Sequence, residues 1–127
     1  MRRPVLLDTF CKAGGCTNGY QRAGFYVVGV DHEPQPRYCG DEFIQADALE
    51  FLANLADFDH RYDAIHASPP CQRYSAVTRS NLGRFKDHPD LVAPVRELLI
   101  RIGKPFIIEN VVCAPLKKPV MVCGSYF

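Results

Sequence analysis

The stretch SPPCQRYS, residues 68–75, contains the clearest candidate for chemistry, a cysteine that directly follows two prolines. Proline fixes its backbone φ near about −65°, so Cys71 would be held rigidly where the chain leaves the apolar run YDAIHA. A second candidate is Glu109 in PFIIENV, which follows apolar residues and could therefore stay protonated near neutral pH. A thiolate paired with such an acid suits conjugate addition to an electron-poor ring. The alternative for Glu109 is a capping role or an ion pair with an arginine.

Two other features near Cys71 have a functional and a structural interpretation. His66 is the closest candidate base, but it falls inside an apolar run, where a hydrogen-bonded core histidine is the favoured interpretation. Between residues 73 and 86 the chain carries four basic residues and no acidic one, among Ser, Thr, Asn and Gly. This segment is either a solvated surface loop or a contact for phosphate groups.

The segment DTFCKAGG, residues 8–15, suggests a ligand-binding turn between a strand and a helix. Glycines there allow the backbone to approach a ligand closely. Asp31 ends the second apolar run, where a carboxylate can accept both ribose hydroxyls of a nucleoside cofactor. Asp47 ends the third and could accept a hydrogen bond from an adenine amino group. Each aspartate alone could equally be a helix N-cap.

Apolar runs that alternate with helical spacing would position these groups. Strands are predicted at 4–8, 25–31, 42–47, 62–67 and 105–111, and helices at 15–23, 48–55 and 91–102. This alternation predicts an α/β fold with an open, mainly parallel sheet of about five or six strands. Ligands bind at the carboxyl ends of such strands, where Asp8, Asp31, Asp47, the Cys71 elbow and Glu109 would meet.

Composition favours one soluble domain over residues 1–127, with 47% apolar and 23% charged residues. No apolar run is long enough to span a bilayer and the first run is too short for a secretory signal, so we expect a cytoplasmic protein. The net charge of +1 does not by itself announce nucleic-acid binding. The cysteines, at positions 11, 16, 39, 71, 113 and 123, lack zinc-type spacing, and we expect most of them to be reduced and buried, with no metal site.

The ordered set DTFCKAGG, GVD, ADAL, SPPCQRYS and IENV resembles the DNA (cytosine-5)-methyltransferase family, especially its compact phage-type members. The resemblance covers nearly the whole chain. It implies a Rossmann-like class I methyltransferase fold that uses S-adenosylmethionine. The residues that would line the cofactor pocket are Phe10, Ala13, Gly14, Gly15, Asp31, Asp47, Pro70 and Leu91.

The resemblance also implies a mechanism. Cys71 would attack C6 of a cytosine flipped out of double-stranded DNA, while Glu109 protonates or hydrogen-bonds N3. C5 then takes the methyl group, a base removes the C5 proton, and the thiol leaves. Asn110 would order the Glu109 loop. The residues expected to contact DNA are Gln72, Arg73, Ser75 and Arg79.

The chain departs from the family pattern at two places. Lys12 stands where the family usually has glycine, so a turn that needs positive φ would be strained by roughly 1 kcal/mol or more, although the ammonium could reach the methionine carboxylate. The chain ends at MVCGSYF, where the family continues, so we expect a C-terminally truncated or split enzyme, with a second polypeptide as a candidate partner. The alternatives are a non-catalytic relic that binds cofactor or nucleic acid, and a small redox protein, disfavoured because Cys71 has no C-x-x-C mate.

Overall fold

Five strands form one parallel sheet in the computed structural model, which describes residues 2–71 and 89–122. The elements are β1 (Val5–Thr9), α1 (Gly15–Arg22), β2 (Tyr26–Asp31), β3 (Glu42–Gln45), α2 (Ala48–Asp57), β4 (Ala64–Ala67), α3 (Val92–Ile102) and β5 (Phe106–Ile108). The strand order is β3-β2-β1-β4-β5, which is the order of a Rossmann-type sheet. The predicted open parallel sheet is therefore confirmed, with β2 to β5 inside their predicted segments and β1 extending one residue beyond its own, to Thr9.

One face of the sheet carries the hydrophobic core. Leu7 in β1 pairs in register with Val28 of β2 and Ile65 of β4, which places the three side chains on the same face. Leu52 of α2 and Leu99 of α3 are fully buried in the same cluster. Helical spacing in α2 and α3 thus directs their apolar stripes onto the sheet, as predicted.

The opposite face of the sheet is more polar. The register aligns Asp8 of β1 with Gly29 of β2 and His66 of β4, and this face meets α1. Gly29 is needed because a Cβ there would lie 2.4 Å from the ring of Tyr38. A polar layer therefore lies between the sheet and α1. Asp8, predicted at a strand end, instead lies buried within β1, because the strand continues through Thr9.

β5 forms one edge of the sheet and leaves apolar side chains exposed. Phe106 is 37% exposed and Ile107 is 56% exposed. The apolar stretch at residues 119–122 is also uncovered: it forms no strand, and Val120 is 87% exposed. Within the ranges that the structure describes, no helix has both the length and the apolar character needed to cross a membrane.

The cysteines differ from the sequence expectation. Cys11 is buried and Cys71 is half-buried, whereas Cys16, Cys39 and Cys113 are exposed. The prediction that most are buried as small hydrophobic residues is therefore wrong, because little packs over Cys16 at the start of α1 or over Cys39 and Cys113 in loops. Among residues 2–71 and 89–122, no group of three or more potential metal ligands occurs.

Candidate active site

A cleft of about 270 Å³ lies at the carboxyl ends of the strands. Its walls come from the segments that follow β1, β2, β4 and β5. The lining residues are Phe10, Lys12, Asp31, His32, Ser68, Pro69, Pro70, Cys71, Glu109, Asn110 and Val111. The cleft is centred where β1 and β4 adjoin, which is where the strand order reverses. This switch point is where open α/β sheets bind ligands.

The Cys71 elbow is tied to its neighbours by hydrogen bonds. The Ser68 backbone N–H donates to the Thr9 carbonyl at 3.4 Å, which extends the contact between β1 and β4. The Asn110 side-chain amide donates to the Pro69 carbonyl at 2.9 Å, and its own oxygen accepts from the Val111 N–H at 2.9 Å. Asn110 thus joins the elbow to the segment that follows β5.

Glu109 reaches the same cleft by the register of β4 and β5. Its backbone N–H donates to the Ala67 carbonyl at 3.0 Å, directly beyond the pair Ala67–Ile108. Its carboxyl group is exposed in the cleft, whereas the sequence had suggested that apolar side chains would enclose it. The structure therefore brings the thiol and the acid of the predicted pair to one site, in an open setting.

Asp31 supplies a buried carboxylate on the other side of the cleft. It is 2% exposed, and its two oxygens accept from the Lys12 N–H at 3.0 Å and the Glu33 N–H at 3.1 Å. The His32 ring nitrogen Nδ1 lies 3.4 Å from Asp31 Oδ1. Because a carboxylate has about four acceptor positions, Asp31 keeps capacity for a ligand hydroxyl.

The turn after β1 requires left-handed backbone conformations. Phe10 has φ 59°, Lys12 has φ 50° and Gly14 has φ 100°. At Gly14, an added Cβ would lie 2.7 Å from Cys39 Sγ, so conformation and space both require glycine. Lys12 is therefore in the conformation that the sequence identified as strained for lysine, and its ammonium lies 3.9 Å from a Glu33 carboxylate oxygen.

His66 connects the polar layer under α1 to the cleft. It is 4% exposed; its Nδ1 lies 2.8 Å from the Tyr20 hydroxyl and its Nε2 lies 2.7 Å from Ser68 Oγ. The expectation that His66 is a hydrogen-bonded core histidine is thus confirmed. Burial lowers the pKa of His66, an effect opposed by the nearby Asp8 and Glu109 carboxylates.

Two other thiols lie near the cleft but are held as neutral groups. Burial, together with the Asp8 and Asp31 carboxylates, raises the pKa of Cys11 to about 12. Burial also raises the pKa of Cys16, and Asp8 and Glu109 act in the same direction. Among the thiols in the described part of the chain, Cys71 alone lines the cleft.

The structure brings some predicted site residues to the cleft and leaves others outside its lining. Those in the cleft are Phe10, Asp31, Pro70, Cys71, Glu109 and Asn110. Those outside are Ala13, Gly14, Gly15, Asp47 and Leu91. Asp47 is the N-cap of α2, where it accepts from the Glu50 N–H at 3.0 Å, and Leu91 directly precedes α3. Their cofactor contacts stay predictions, and Gln72, Arg73, Ser75 and Arg79 lie outside the described residues.

Sequence reasoning missed several residues that line the cleft. These are His32, Ser68, Pro69 and Val111, each within two positions of a residue that was predicted. Their position next to a strand end was the available signal, since a ligand at that edge of the sheet contacts consecutive residues.

Comparison with known proteins shows similarity to Type II methyltransferases. The chain is 31% identical over 122 residues to the Type II methyltransferase M1.HphI of Haemophilus parahaemolyticus, covering 84% of this chain and 32% of that protein. It is 28% identical over 120 residues to the Type II methyltransferase M.AgeI of Thalassovita gelatinovora, covering 84% of this chain and 27% of that protein. The chain therefore spans about a third of the length of the curated relatives it matches, and its relationship to Type II DNA methyltransferases is weak. No protein-family model matches the chain.

Two solved structures share part of the fold. A SAM-dependent methyltransferase from Agrobacterium tumefaciens has a TM-score of 0.46 and 21% identity, over 58% of this chain and 27% of that one. The 1,6-didemethyltoxoflavin-N1-methyltransferase of Burkholderia thailandensis, with bound 1,6-didemethyltoxoflavin and S-adenosylhomocysteine, has a TM-score of 0.48 and 19% identity, over 84% of this chain and 44% of that one.

Proposed function

We propose that this chain is the cofactor-binding and catalytic part of a DNA (cytosine-5)-methyltransferase that uses S-adenosylmethionine. The observation that carries the proposal is the meeting of Cys71, Glu109 and Asp31 in one cleft at the switch point of the sheet. The sequence similarity to Type II methyltransferases supports methyl transfer. The cysteine and the acid support cytosine C5 as the methyl acceptor.

The cleft suits the proposed cofactor. Asp31 is a buried carboxylate with acceptor capacity left, which matches the two ribose hydroxyls of a nucleoside. Phe10 and Pro70 offer apolar surface beside it, and the Lys12 ammonium lies at the cleft, where it can meet a carboxylate. S-adenosylmethionine would supply an electrophilic methyl group at this site.

The chain's own residues account for activation of the cytosine. The Cys71 thiolate forms a bond to C6, and a proton from Glu109 on N3 makes the ring electron-poor enough for that attack. The hydrogen bond from Asn110 to the Pro69 carbonyl fixes the distance between elbow and acid. The proposed DNA contacts are Gln72, Arg73, Ser75 and Arg79.

The experiment is covalent trapping. The chain is incubated with S-adenosylmethionine and a duplex that contains 5-fluorocytosine, and a protein–DNA adduct is sought by denaturing electrophoresis and mass spectrometry. Cys71→Ala should abolish the adduct, while Cys113→Ala, which removes an exposed thiol outside the cleft, should keep it. An adduct that survives Cys71→Ala refutes the assignment of the nucleophile.

A measurement of cofactor binding distinguishes the proposed methyltransferase from a non-catalytic protein that only binds the cofactor. S-adenosylhomocysteine binding, measured by calorimetry with Asp31→Asn as the weakened variant, tests the pocket without any turnover. Binding without an adduct would favour a non-catalytic subunit, and absence of both would refute the methyltransferase assignment.

A further inference from the structure

A chain of hydrogen bonds leads from beneath α1 into the cleft. The Tyr20 hydroxyl lies 2.8 Å from His66 Nδ1, and His66 Nε2 lies 2.7 Å from Ser68 Oγ. His66 is buried in β4, whereas Ser68 lines the cleft together with Cys71 and Glu109. The reaction proposed above uses the thiol and the acid but leaves this hydrogen-bonded pair without a role.

The hydrogen bonds of His66 and Ser68 can be oriented so that the two side chains together accept a proton from the cleft. When Nδ1 carries the ring proton and donates it to the Tyr20 hydroxyl oxygen, Nε2 accepts the hydroxyl proton of Ser68. The lone pairs of Ser68 Oγ are then available on the cleft side. Because burial lowers the pKa of His66, the ring is neutral near pH 7 and able to take up a proton.

We propose that Ser68 and His66 form a proton relay that removes the C5 proton of the methylated cytosine adduct, an inference that rests on the proposed function. The C5–H bond breaks and its proton moves to Ser68 Oγ as the Ser68 hydroxyl proton moves to His66 Nε2. The C5–H electron pair forms the C5–C6 double bond, the C6–S bond breaks, and Cys71 leaves as a thiolate. The N3 proton returns to Glu109, and the imidazolium later releases its proton to solvent.

The surroundings of His66 stabilise the charge that this step creates. From β1, Asp8 faces the ring in register; Glu109, after β5, also attracts an imidazolium. From α1, the Tyr20 hydroxyl orients Nδ1, and the neutral Cys16 thiol lies near both carboxylates. The carboxylates therefore favour protonation when a proton arrives, although burial keeps the resting ring neutral.

The test follows proton removal in the absence of S-adenosylmethionine. In DNA that carries tritium at cytosine C5, addition of Cys71 at C6 lets C5 take a solvent proton, and the relay then releases tritium to water. His66→Gln keeps side-chain hydrogen bonding but cannot accept a proton, and it should release tritium at least about 100-fold more slowly. Ser68→Ala should do the same and serves if His66→Gln fails to fold. His60→Gln, on the loop before β4, is the matched control and should match the unaltered chain.

Trapping on 5-fluorocytosine DNA with S-adenosylmethionine separates the possible explanations, because that adduct has no C5 proton to lose. The relay predicts that His66→Gln and Ser68→Ala form it as the unaltered chain does. Variants that release tritium within about threefold of the unaltered chain would overturn the relay. Folded variants that lose both the adduct and the exchange would also overturn it, since His66 would then merely hold the elbow. No adduct with the unaltered chain would refute the proposed function, and the relay with it.

Discussion

Replacing Lys12 by glycine should stabilise the protein. Lys12 has φ 50°, and this conformation costs a residue with a side chain about 1–2 kcal/mol. Glycine loses more backbone entropy on folding, which offsets about 0.5–1 kcal/mol of that gain. The ion pair of Lys12 with Glu33, at 3.9 Å between exposed side chains, adds little. The expected net gain in the free energy of unfolding is therefore about 0.5–1 kcal/mol.

Urea unfolding followed by circular dichroism measures this gain. A gain of that size should raise the denaturation midpoint by about 0.3–0.5 M if the slope lies near 2 kcal/mol per M. Lys117→Gly is the matched control, because Lys117 is an exposed lysine whose φ is not positive. It should leave stability unchanged or lower it. A Lys12→Gly variant no more stable than Lys117→Gly would refute the strain argument.

The same substitution also tests how Lys12 contributes to the cleft. If its ammonium contacts the carboxylate of the bound cofactor, Lys12→Gly should weaken S-adenosylhomocysteine binding while it stabilises the fold. Opposite signs for the two effects are thus expected from calorimetry and urea unfolding. A gain in both would mean that the ammonium does not contact the ligand.

Three further substitutions probe the polar layer, the elbow and the first turn. Burial raises the pKa of Asp8 above its unfolded-state value near 3.8, so folding favours the neutral carboxyl group. The stability that this preference contributes is fully present below pH 3.8 and is lost as the pH rises through the folded-state pKa. Asp8→Asn should therefore gain stability relative to the unaltered chain as the pH of urea titrations is raised from about 4; a pH-independent difference would contradict this. Asn110→Ala should lower the free energy of unfolding by about 1–2 kcal/mol, because the Pro69 carbonyl loses its donor. Gly14→Ala should cost about 2 kcal/mol or more, from φ 100° and from the approach to Cys39 Sγ.

Neighbouring positions provide controls for the last two. Gly15→Ala adds a methyl group where no atom lies within 4 Å, so thermal unfolding should show little loss or a small gain. Val112→Ala truncates a side chain that is 66% exposed and should change stability by less than about 0.5 kcal/mol. If Gly14→Ala is no worse than Gly15→Ala, the turn does not need its left-handed glycine.

The sequence predicted the elements well because each has a clear local signal. Apolar runs of β-branched residues marked β2, and the spacing of Val95, Leu98 and Leu99 marked α3. Strand ends were harder, since hydrophobicity does not show where a strand stops. Asp8 was taken as a strand end, but the ladder continues through Thr9, and this turns Asp8 into a buried partner of α1.

The contents of the cleft were only partly predictable for a different reason. Cys71 and Glu109 have no local relation in sequence, and their meeting depends on β4 pairing with β5. Asp47 also follows a strand, but it is used as the N-cap of α2 and does not line the cleft. The two roles have the same sequence signal, since both place an aspartate between a strand and a helix. Only the tertiary structure distinguishes them.

The two halves of the cleft are built on separate strand pairs. Asp31 is fixed by the Lys12 N–H and thus by the contact of β1 with β2. Cys71 and Glu109 are fixed by the register of β4 with β5 and by the Asn110 hydrogen bond. The halves meet where β1 pairs with β4, through the Ser68 N–H on Thr9. A substitution at Asp31 should therefore weaken cofactor binding and leave the thiol–acid geometry intact. A substitution at Asn110 should disturb the thiol–acid geometry and leave cofactor binding intact.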